Sequence, residues 1–161
     1  MSEPPEDPES EPPETSVAQR GVNFMLSYAA RAGDYDVVAH ALTPGGDPNY
    51  GRDFTFSPLH GALVCAWPQS CAERVDIVRH LLEHGADPDI RDREGCTPLY
   101  RAIEKGIAAA VVLLIEWGAN VNTVDLSGRS AIDIAFQDRK IDIAILLRER
   151  YPELFTTWTR A

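Results

Sequence analysis

A five-residue motif recurs along the chain, and this repetition limits the possible folds more than any other feature of the sequence. The motif reads GGDPN at residues 45–49, GADPD at residues 85–89 and GANVN at residues 118–122. A hydrophobic stretch precedes each copy, and a fourth such stretch runs from Ser130 to Leu147. A period of about 33 residues, as between the last two copies, is typical of repeat architectures, in which each unit is stabilised mainly by stacking on its neighbours.

The residues inside this period resemble the ankyrin repeat. TPLY at residues 97–100 and SPLH at residues 57–60 match the T-P-L-H turn of that family. Gly85 and Gly118 match the glycine that ends the second helix of each repeat. The resemblance covers about residues 20–150. It implies an all-α fold, an ankyrin-repeat solenoid of stacked helix-turn-helix units with short hairpin connections.

The chemistry of individual residues agrees with this resemblance. Thr97 can cap a helix, and Pro98 suits the first helical turn, where its missing N–H costs nothing. The two glycines suit a left-handed helix end. We expect small residues to let the paired helices approach closely and longer aliphatic residues to join successive repeats. The small residues are Ala30, Ala62, Ala102 and Ala135, and the longer ones are Leu81, Leu82, Leu114, Ile115, Leu146 and Leu147.

We predict four repeats, at residues 20–49, 50–89, 90–122 and 123–150. The first and fourth are weaker matches, with FMLS at 24–27 and SAID at 130–133 in the turn position, as is usual for end repeats. The second repeat is seven residues longer than the third, at the joint between its helices, which explains the wider spacing of the first two motif copies. A surface joint tolerates such an insertion because a longer loop costs little conformational free energy.

Both ends of the chain differ from the repeats. Residues 1–16 hold six acidic side chains and no basic one, and residues 1–18 are predicted to be a disordered acidic tail rich in Pro and Glu. This tail is either a solubilising leader or a docking segment. Residues 151–161 carry Leu154, Phe155 and Trp158, which suit a cap over the fourth repeat; a short motif for a partner is the alternative.

Composition narrows the functional class. The net charge is -10 and no Lys/Arg cluster is present, which argues against nucleic-acid binding. No apolar run approaches the roughly 20 residues that span a bilayer. Three cysteines without framework spacing favour a reducing compartment. We therefore expect a cytoplasmic protein, with the nucleus as an alternative location and no contact with membrane.

The cysteines and histidines around the insertion invite comparison with a zinc site. Cys65 and Cys71 are separated by five residues, which is not the C-x2–4-C spacing of structural zinc sites. In the ankyrin pattern, a histidine at the position of His60 ties the turn by hydrogen bonds. A cysteine nucleophile would need a base and oxyanion donors that the sequence does not indicate. We expect no metal, no cofactor and no catalysis; a thiol-dependent enzyme is the alternative of another class.

The family resemblance implies binding of another protein through a concave surface made of hairpin tips and first-helix faces. Phe54, Phe56 and Trp67 of the second repeat are aromatic residues that could form a hot spot, or else pack inward. The second hairpin also has Thr55 where later ones have glycine, so its tip departs from the pattern. The candidate partner-binding residues are Asp53, Phe54, Phe56, Trp67, Arg91, Arg93, Glu94, Glu104, Lys105, Leu126 and Arg129.

The sequence therefore predicts a monomeric protein-interaction module that acts as an adaptor or a stoichiometric inhibitor. The identity of its partner does not follow from the repeats, because members of one fold bind unrelated clients. A chaperone-like or decoy role for a basic client, attracted by the acidic tail, is an alternative that strong salt dependence of binding would reveal.

Overall fold

The computed structural model describes residues 17–51, 57–64 and 71–152, with the backbone alone at residues 71 and 72. Eight α-helices occupy these residues. They are α1 (Val17–Ala32), α2 (Tyr35–Leu42), α3 (Pro58–Val64), α4 (Cys71–Glu83), α5 (Pro98–Lys105), α6 (Ala108–Glu116), α7 (Ala131–Gln137) and α8 (Ile141–Arg150).

The helices pack as four pairs that are stacked in two rows. Each odd-numbered helix packs on the helix that follows it, which gives one pair per repeat. The odd-numbered helices also pack in sequence, α1 on α3, α3 on α5 and α5 on α7, and form the first-helix row. The even-numbered helices form the second-helix row in the same way. The predicted all-α solenoid of helix-turn-helix units is thus confirmed.

The buried core runs through all four pairs without interruption. The four small residues Ala30, Ala62, Ala102 and Ala135 are buried as expected, and so are Leu81, Leu82, Leu114, Ile115 and Leu147, while Leu146 is half-buried. α3 packs closely against α1 at Gly61. A Cβ at Gly61 would lie 3.2 Å from the backbone nitrogen of Arg31 and from the carbonyl oxygen of Ser27. This contact restricts position 61 to a very small residue.

Hydrogen bonds at the turns join each repeat to the next. The imidazole of His60 lies between the Ser57 hydroxyl, 2.8 Å from Nδ1, and the Cys96 carbonyl oxygen, 3.0 Å from Nε2. Because a carbonyl oxygen only accepts, Nε2 carries the proton and Nδ1 accepts from Ser57. The predicted role of His60 in tying the turn is confirmed. The same side chain also binds the second repeat to the third.

A second series of hydrogen bonds lies at the recurring five-residue motif, where side-chain oxygens accept from backbone N–H groups. The Asn23 side-chain oxygen accepts from the Asp47 N–H at 2.9 Å, and the Asn49 side-chain oxygen accepts from the Asp87 N–H at 2.7 Å. One repeat further, a carboxylate oxygen of Asp89 accepts from the Asn120 N–H at 2.8 Å. In each case the acceptor is a polar side chain earlier in the sequence, and the donor is a backbone N–H within a copy of the motif.

Helix ends follow the expected chemistry. The Thr97 hydroxyl accepts from the Tyr100 N–H at 3.3 Å, and Pro98 begins α5. Gly85 and Gly118 have φ angles of 86° and 84°, the left-handed conformation that ends a helix without steric cost in glycine. Arg139 adopts the same region with φ of 54°, at the position that Gly106 occupies one repeat earlier.

The first repeat departs from the prediction. The FMLS stretch at 24–27 does not form a turn, because it lies inside α1, which is one continuous helix from Val17 to Ala32. This stretch has neither the capping residue nor the proline that begins α5, so helical hydrogen bonding continues through it. The C-terminal end of α1 does follow the repeat pattern. Gly33 after α1 and Gly106 after α5 occupy equivalent positions, with similar φ angles of 80° and 72°.

We predict that Arg139→Gly raises the free energy of unfolding by about 0.5 kcal/mol, because a left-handed conformation is strained in arginine and relaxed in glycine. Urea denaturation measures the change. The matched control is Arg79→Gly, an exposed arginine in the middle of α4, which is expected to lower stability by about 1 kcal/mol because glycine weakens a helix interior. Destabilisation by Arg139→Gly would contradict the account of this turn.

His60 generates a prediction about pH. Burial lowers the pKa of His60 below its ordinary value of 6.5, although the Cys96 carbonyl and Asp92 oppose that effect. The unfolded chain therefore binds more protons at this site than the folded one, so stability falls as pH drops below 6.5 toward the folded-state pKa. We expect His60→Gln to be less stable than wild type at neutral pH, with a smaller difference in mildly acidic buffer.

Urea denaturation at two pH values measures this difference. His84→Gln is the control, because His84 is exposed and its Nδ1 contacts the His80 carbonyl within the same helix. A gap between wild type and His60→Gln that does not change with pH would show that His60 does not titrate differently in the two states.

Candidate binding surface

The hairpin tips of the third and fourth repeats are each organised by one aspartate. In the third finger, residues 91–96, one carboxylate oxygen of Asp92 accepts from the N–H groups of Glu94 and Cys96, both at 2.9 Å. In the fourth finger, residues 124–129, Asp125 accepts from the N–H groups of Ser127 and Arg129 at 2.8 and 3.0 Å. These four bonds fix the backbone of both fingers.

A buried arginine connects the third finger to α5. Arg101 donates to Asp92 Oδ2 through Nε at 2.9 Å and through Nη2 at 2.7 Å. Nη2 also reaches Glu94 at 2.7 Å, and Nη1 reaches Glu104 at 3.1 Å. Burial alone would lower the pKa of Arg101, but hydrogen bonds to Glu94, Asp92 and Glu104 outweigh it and raise that pKa above its ordinary value. This arginine therefore holds three carboxylates in fixed positions.

The fourth finger is anchored to α5 in a different way. The Tyr100 hydroxyl donates to Asp125 Oδ2 at 2.8 Å, and Arg129 pairs with the same carboxylate at 2.9 Å. The pKa of Asp125 lies well below its usual range, chiefly because the Ser127 hydroxyl donates to its carboxylate. The Arg129 backbone N–H and the Tyr100 and Arg129 side chains act in the same direction, and burial opposes them. Burial and the bond to Asp125 raise the pKa of Tyr100, so its hydroxyl keeps its proton.

The two fingers also contact each other directly. The Leu126 N–H donates to the Glu94 carbonyl at 3.0 Å, and Arg91 Nη1 donates to the carbonyls of Gly95 and Val124, both at 2.8 Å. A Cβ at Gly95 would lie 2.9 Å from the Leu126 side chain. The Leu126 side chain nevertheless remains 80% exposed at the tip. The two fingers thus form one continuous edge that carries an apolar group.

The described candidates fall into two groups by position. Arg91, Arg93, Glu94, Leu126 and Arg129 lie on the fingers, whereas Glu104 and Lys105 lie at the end of α5 in the first-helix row. The Arg101 network brings Glu94 and Glu104 together, and Lys105 Nζ lies 3.5 Å from Glu104. The remaining candidates, Asp53, Phe54, Phe56 and Trp67, lie outside the described residues.

Two aromatic residues on α1 were not among the sequence candidates. Phe24 and Tyr28 are 66% and 68% exposed, and their spacing of four places them on one face of the helix. Tyr28 precedes Gly33 by five residues, just as Arg101 precedes Gly106, so both occupy the same position in the first-helix row. The sequence could have indicated this pair, because Phe24 and Tyr28 are four residues apart and do not coincide with the buried positions of α1. That argument requires residues 24–27 to be helical, whereas we expected a turn there.

Arg101, Asp92 and Asp125 were also missed. The two aspartates share a signal, because each begins a D-x-x-G segment at the same position of its repeat. Arg101 has one local partner, Glu104, three residues further along α5. Its other two partners, Asp92 and Glu94, lie nine and seven residues before it and meet it only in the folded chain.

Other kinds of site find little support among the described residues. In the parts of the chain that the structure describes, no three His, Cys, Asp or Glu side chains are grouped so as to hold a metal ion. Both ring nitrogens of His60 already have partners. None of the helices described here is both long enough and apolar enough to cross a membrane.

Comparison with known proteins agrees with the geometry. The family model for ankyrin repeats, which describes three copies, matches residues 26–125 and again residues 64–156. These two matches together cover most of the chain. The chain belongs to the ankyrin-repeat family. The recognition made from the T-P-L-H turns is therefore confirmed, and this family consists typically of protein-interaction modules.

Individual ankyrin-repeat relatives show the same similarity. The chain is 30% identical to human BCL-6 corepressor-like protein 1 over 131 residues, which are 79% of this chain and 7% of that protein. It is 38% identical to human ankyrin repeat and SOCS box protein 11 over 82 residues, 51% of this chain and 25% of that protein. It is 28% identical to rat cyclin-dependent kinase 4 inhibitor B over 125 residues, 77% of this chain and 90% of that protein.

We predict that Arg101→Gln lowers the free energy of unfolding by about 3 kcal/mol, because it leaves the buried carboxylate of Asp92 without its cation. Chemical denaturation measures the loss. Lys105→Gln is the matched control, since it removes the same charge from a half-exposed side chain and should cost less than about 0.5 kcal/mol. Equal losses in the two variants would show that the network is not a stabilising feature of the finger.

Proposed function

We propose that this ankyrin-repeat chain binds another protein through the first-helix row and the fingers, and acts as an adaptor or a stoichiometric inhibitor. The observation that carries the proposal is the internal support of the fingers. Asp92, Asp125 and Arg101 fix their backbone and charges within the chain itself. A surface that is already ordered loses little conformational entropy when a partner binds, so more of the contact energy is retained as affinity.

The composition of this surface suits protein recognition. Its first repeat presents the exposed rings of Phe24 and Tyr28, and its fourth finger presents Leu126. Aromatic residues on a rigid element are frequent hot spots at interfaces. Between them lie the charged side chains of the third repeat, which are better suited to select a partner than to supply most of the affinity. A partner with apolar anchors opposite both ends would match this arrangement.

The relatives support both modes of action. A protein named as a kinase inhibitor is similar to this chain over 90% of its own length, which supports a module that inhibits by occupying its target. The segments that match this chain are 7% of BCL-6 corepressor-like protein 1 and 25% of ankyrin repeat and SOCS box protein 11, so similar sequence also occurs within larger proteins, which supports an adaptor. In either mode the chain acts by binding and forms no covalent intermediate.

A non-enzymatic role agrees with the chemistry of the described thiol. Cys96 is buried, and burial raises its pKa to about 11, so its thiolate is scarce at neutral pH. The side chains of Cys65 and Cys71 lie outside the described residues. We further propose that the chain acts as a monomer in the cytoplasm or the nucleus.

The proposal predicts where mutations weaken binding. We expect Phe24→Ala/Tyr28→Ala to weaken binding of the physiological partner by about 30-fold, because exposed aromatic rings on a rigid helix are frequent hot spots. A Phe54→Ala/Phe56→Ala/Trp67→Ala variant tests the second repeat in the same way. Val112→Ala/Trp117→Ala is the matched control, because these residues are partly exposed apolar side chains of the second-helix row and its end. Calorimetry with purified partner gives affinity and stoichiometry.

The partner is first identified by affinity capture from lysate and mass spectrometry, and thermal melts establish that every variant folds. Loss of affinity in the control variant alone would contradict the proposed surface. Affinity that falls steeply with salt and that disappears when residues 1–16 are removed would favour the decoy role for a basic client instead.

A further inference from the structure

An open apolar groove lies at the C-terminal end of the stack, between α7 and α8. Its apolar lining includes Phe136, Ile141 and Ile145, which are 42%, 63% and 50% exposed. Arg139 and Arg148 form its charged margins, and its volume is about 150 Å³. Three large apolar side chains therefore share one exposed groove.

The preceding repeat shows what this groove lacks. Phe136 occupies the position that Ile103 holds one repeat earlier, and Ile103 is completely buried. The helix of Ile103, α5, has α7 of the next repeat packed against it. Among the described residues no helix pair follows α7 and α8, and Phe136 is 42% exposed. Part of the α7 surface at this end of the stack is therefore accessible to a further segment.

The segment that follows α8 has the length and composition to be this occupant. The Tyr151 N–H donates to the Leu147 carbonyl at 2.8 Å, and Tyr151 packs against the core, so the chain leaves α8 close to Arg148. Ten helical residues of α8 span ~15 Å, whereas six extended residues span ~20 Å. Residues 153–158 can therefore run back along the whole groove.

The order of residues in the segment also fits. Glu153 comes first, followed by Leu154, Phe155 and, three residues later, Trp158. Arg148 lies at the near margin of the groove and the apolar side chains of Ile145, Ile141 and Phe136 follow it. The acidic Glu153 would therefore meet the basic Arg148, and the apolar residues after it would meet the apolar part of the groove.

We propose that residues 153–158 turn back along α8 and cover this groove, with Glu153 beside Arg148 and the rings of Phe155 and Trp158 against Ile145, Ile141 and Phe136. The segment covers apolar side chains of α7 and α8 at this end of the stack. This contact also favours the proposed monomer, because it leaves less apolar surface on which a second copy could stack. The inference does not depend on the proposed partner-binding function.

Disulfide trapping tests the contact. In the full chain carrying Cys65→Ser and Cys71→Ser, Ile145→Cys is combined with Phe155→Cys and the protein is oxidised at low concentration. We expect a monomer with an intramolecular bond between positions 145 and 155, identified by peptide mapping. The matched control replaces Ile145→Cys with Val112→Cys, because Val112 is the equivalent residue one repeat earlier and is also partly exposed.

The outcomes separate the possible occupants. Equal yields with positions 145 and 112 would show a segment without a fixed place and would overturn the proposal. Disulfide-linked dimers in place of the intramolecular bond would show that a second copy fills the groove, and would overturn it as well. Thermal denaturation supplies an independent readout that does not require the two cysteines to meet in bonding geometry.

For this readout, Trp158→Ala should lower the midpoint by roughly 3 °C in the wild-type background and by much less in an Ile145→Asp background. Trp117→Ala is the control, because Trp117 follows α6 and lies away from the groove; its effect should be the same in both backgrounds. A Trp158→Ala effect that is absent, or identical in the two backgrounds, would overturn the proposal.

Discussion

The structure depends on the fact that no helix pair can bury its apolar face alone. The first-helix row and the second-helix row each bury their small and aliphatic residues only because the next repeat covers them. Polar bonds follow the same direction: His60 reaches the Cys96 carbonyl, and Tyr100 reaches Asp125 one repeat further. Stability in such a stack is a sum of interface contributions between neighbours, so each repeat orders the one beside it.

This constraint also explains the binding surface. The fingers project from the stack, where they bury little apolar area, and their order comes from side chains anchored in the helices. Arg101 extends from α5 to Asp92, and Asp92 in turn holds the N–H groups of its own finger. Asp125 does the same in the fourth finger and is held by Tyr100. Because α5 is held by its neighbours, its side chains hold the fingers in a fixed position. The stacking of the repeats therefore gives a binding surface that is rigid before a partner binds.

Much of the fold could be predicted from sequence because it depends on local requirements that repeat. A left-handed helix end needs glycine, and a capped helix start needs a hydroxyl followed by proline, so Gly85, Gly118 and Thr97 were found directly. The expected turn at 24–27 was wrong because it was assigned from the position of this stretch in the repeat. The stretch has neither the capping hydroxyl nor the proline that begins α5. Less of the surface could be predicted: Glu94, Glu104 and Leu126 were named from position, but Arg101 meets Asp92 and Glu94 only in the folded chain. Phe24 and Tyr28 were missed as a consequence of the wrong turn.

The most direct test of this account is amide hydrogen exchange of the free protein, resolved by residue with NMR. If the fingers are ordered before any partner binds, the N–H groups of Glu94, Cys96, Ser127 and Arg129 will exchange much more slowly than in an unstructured peptide, and with protection comparable to that of α5. Rapid exchange of these four groups beside a protected α5 would contradict the account, because the binding surface would then be ordered by its partner and not by the stack.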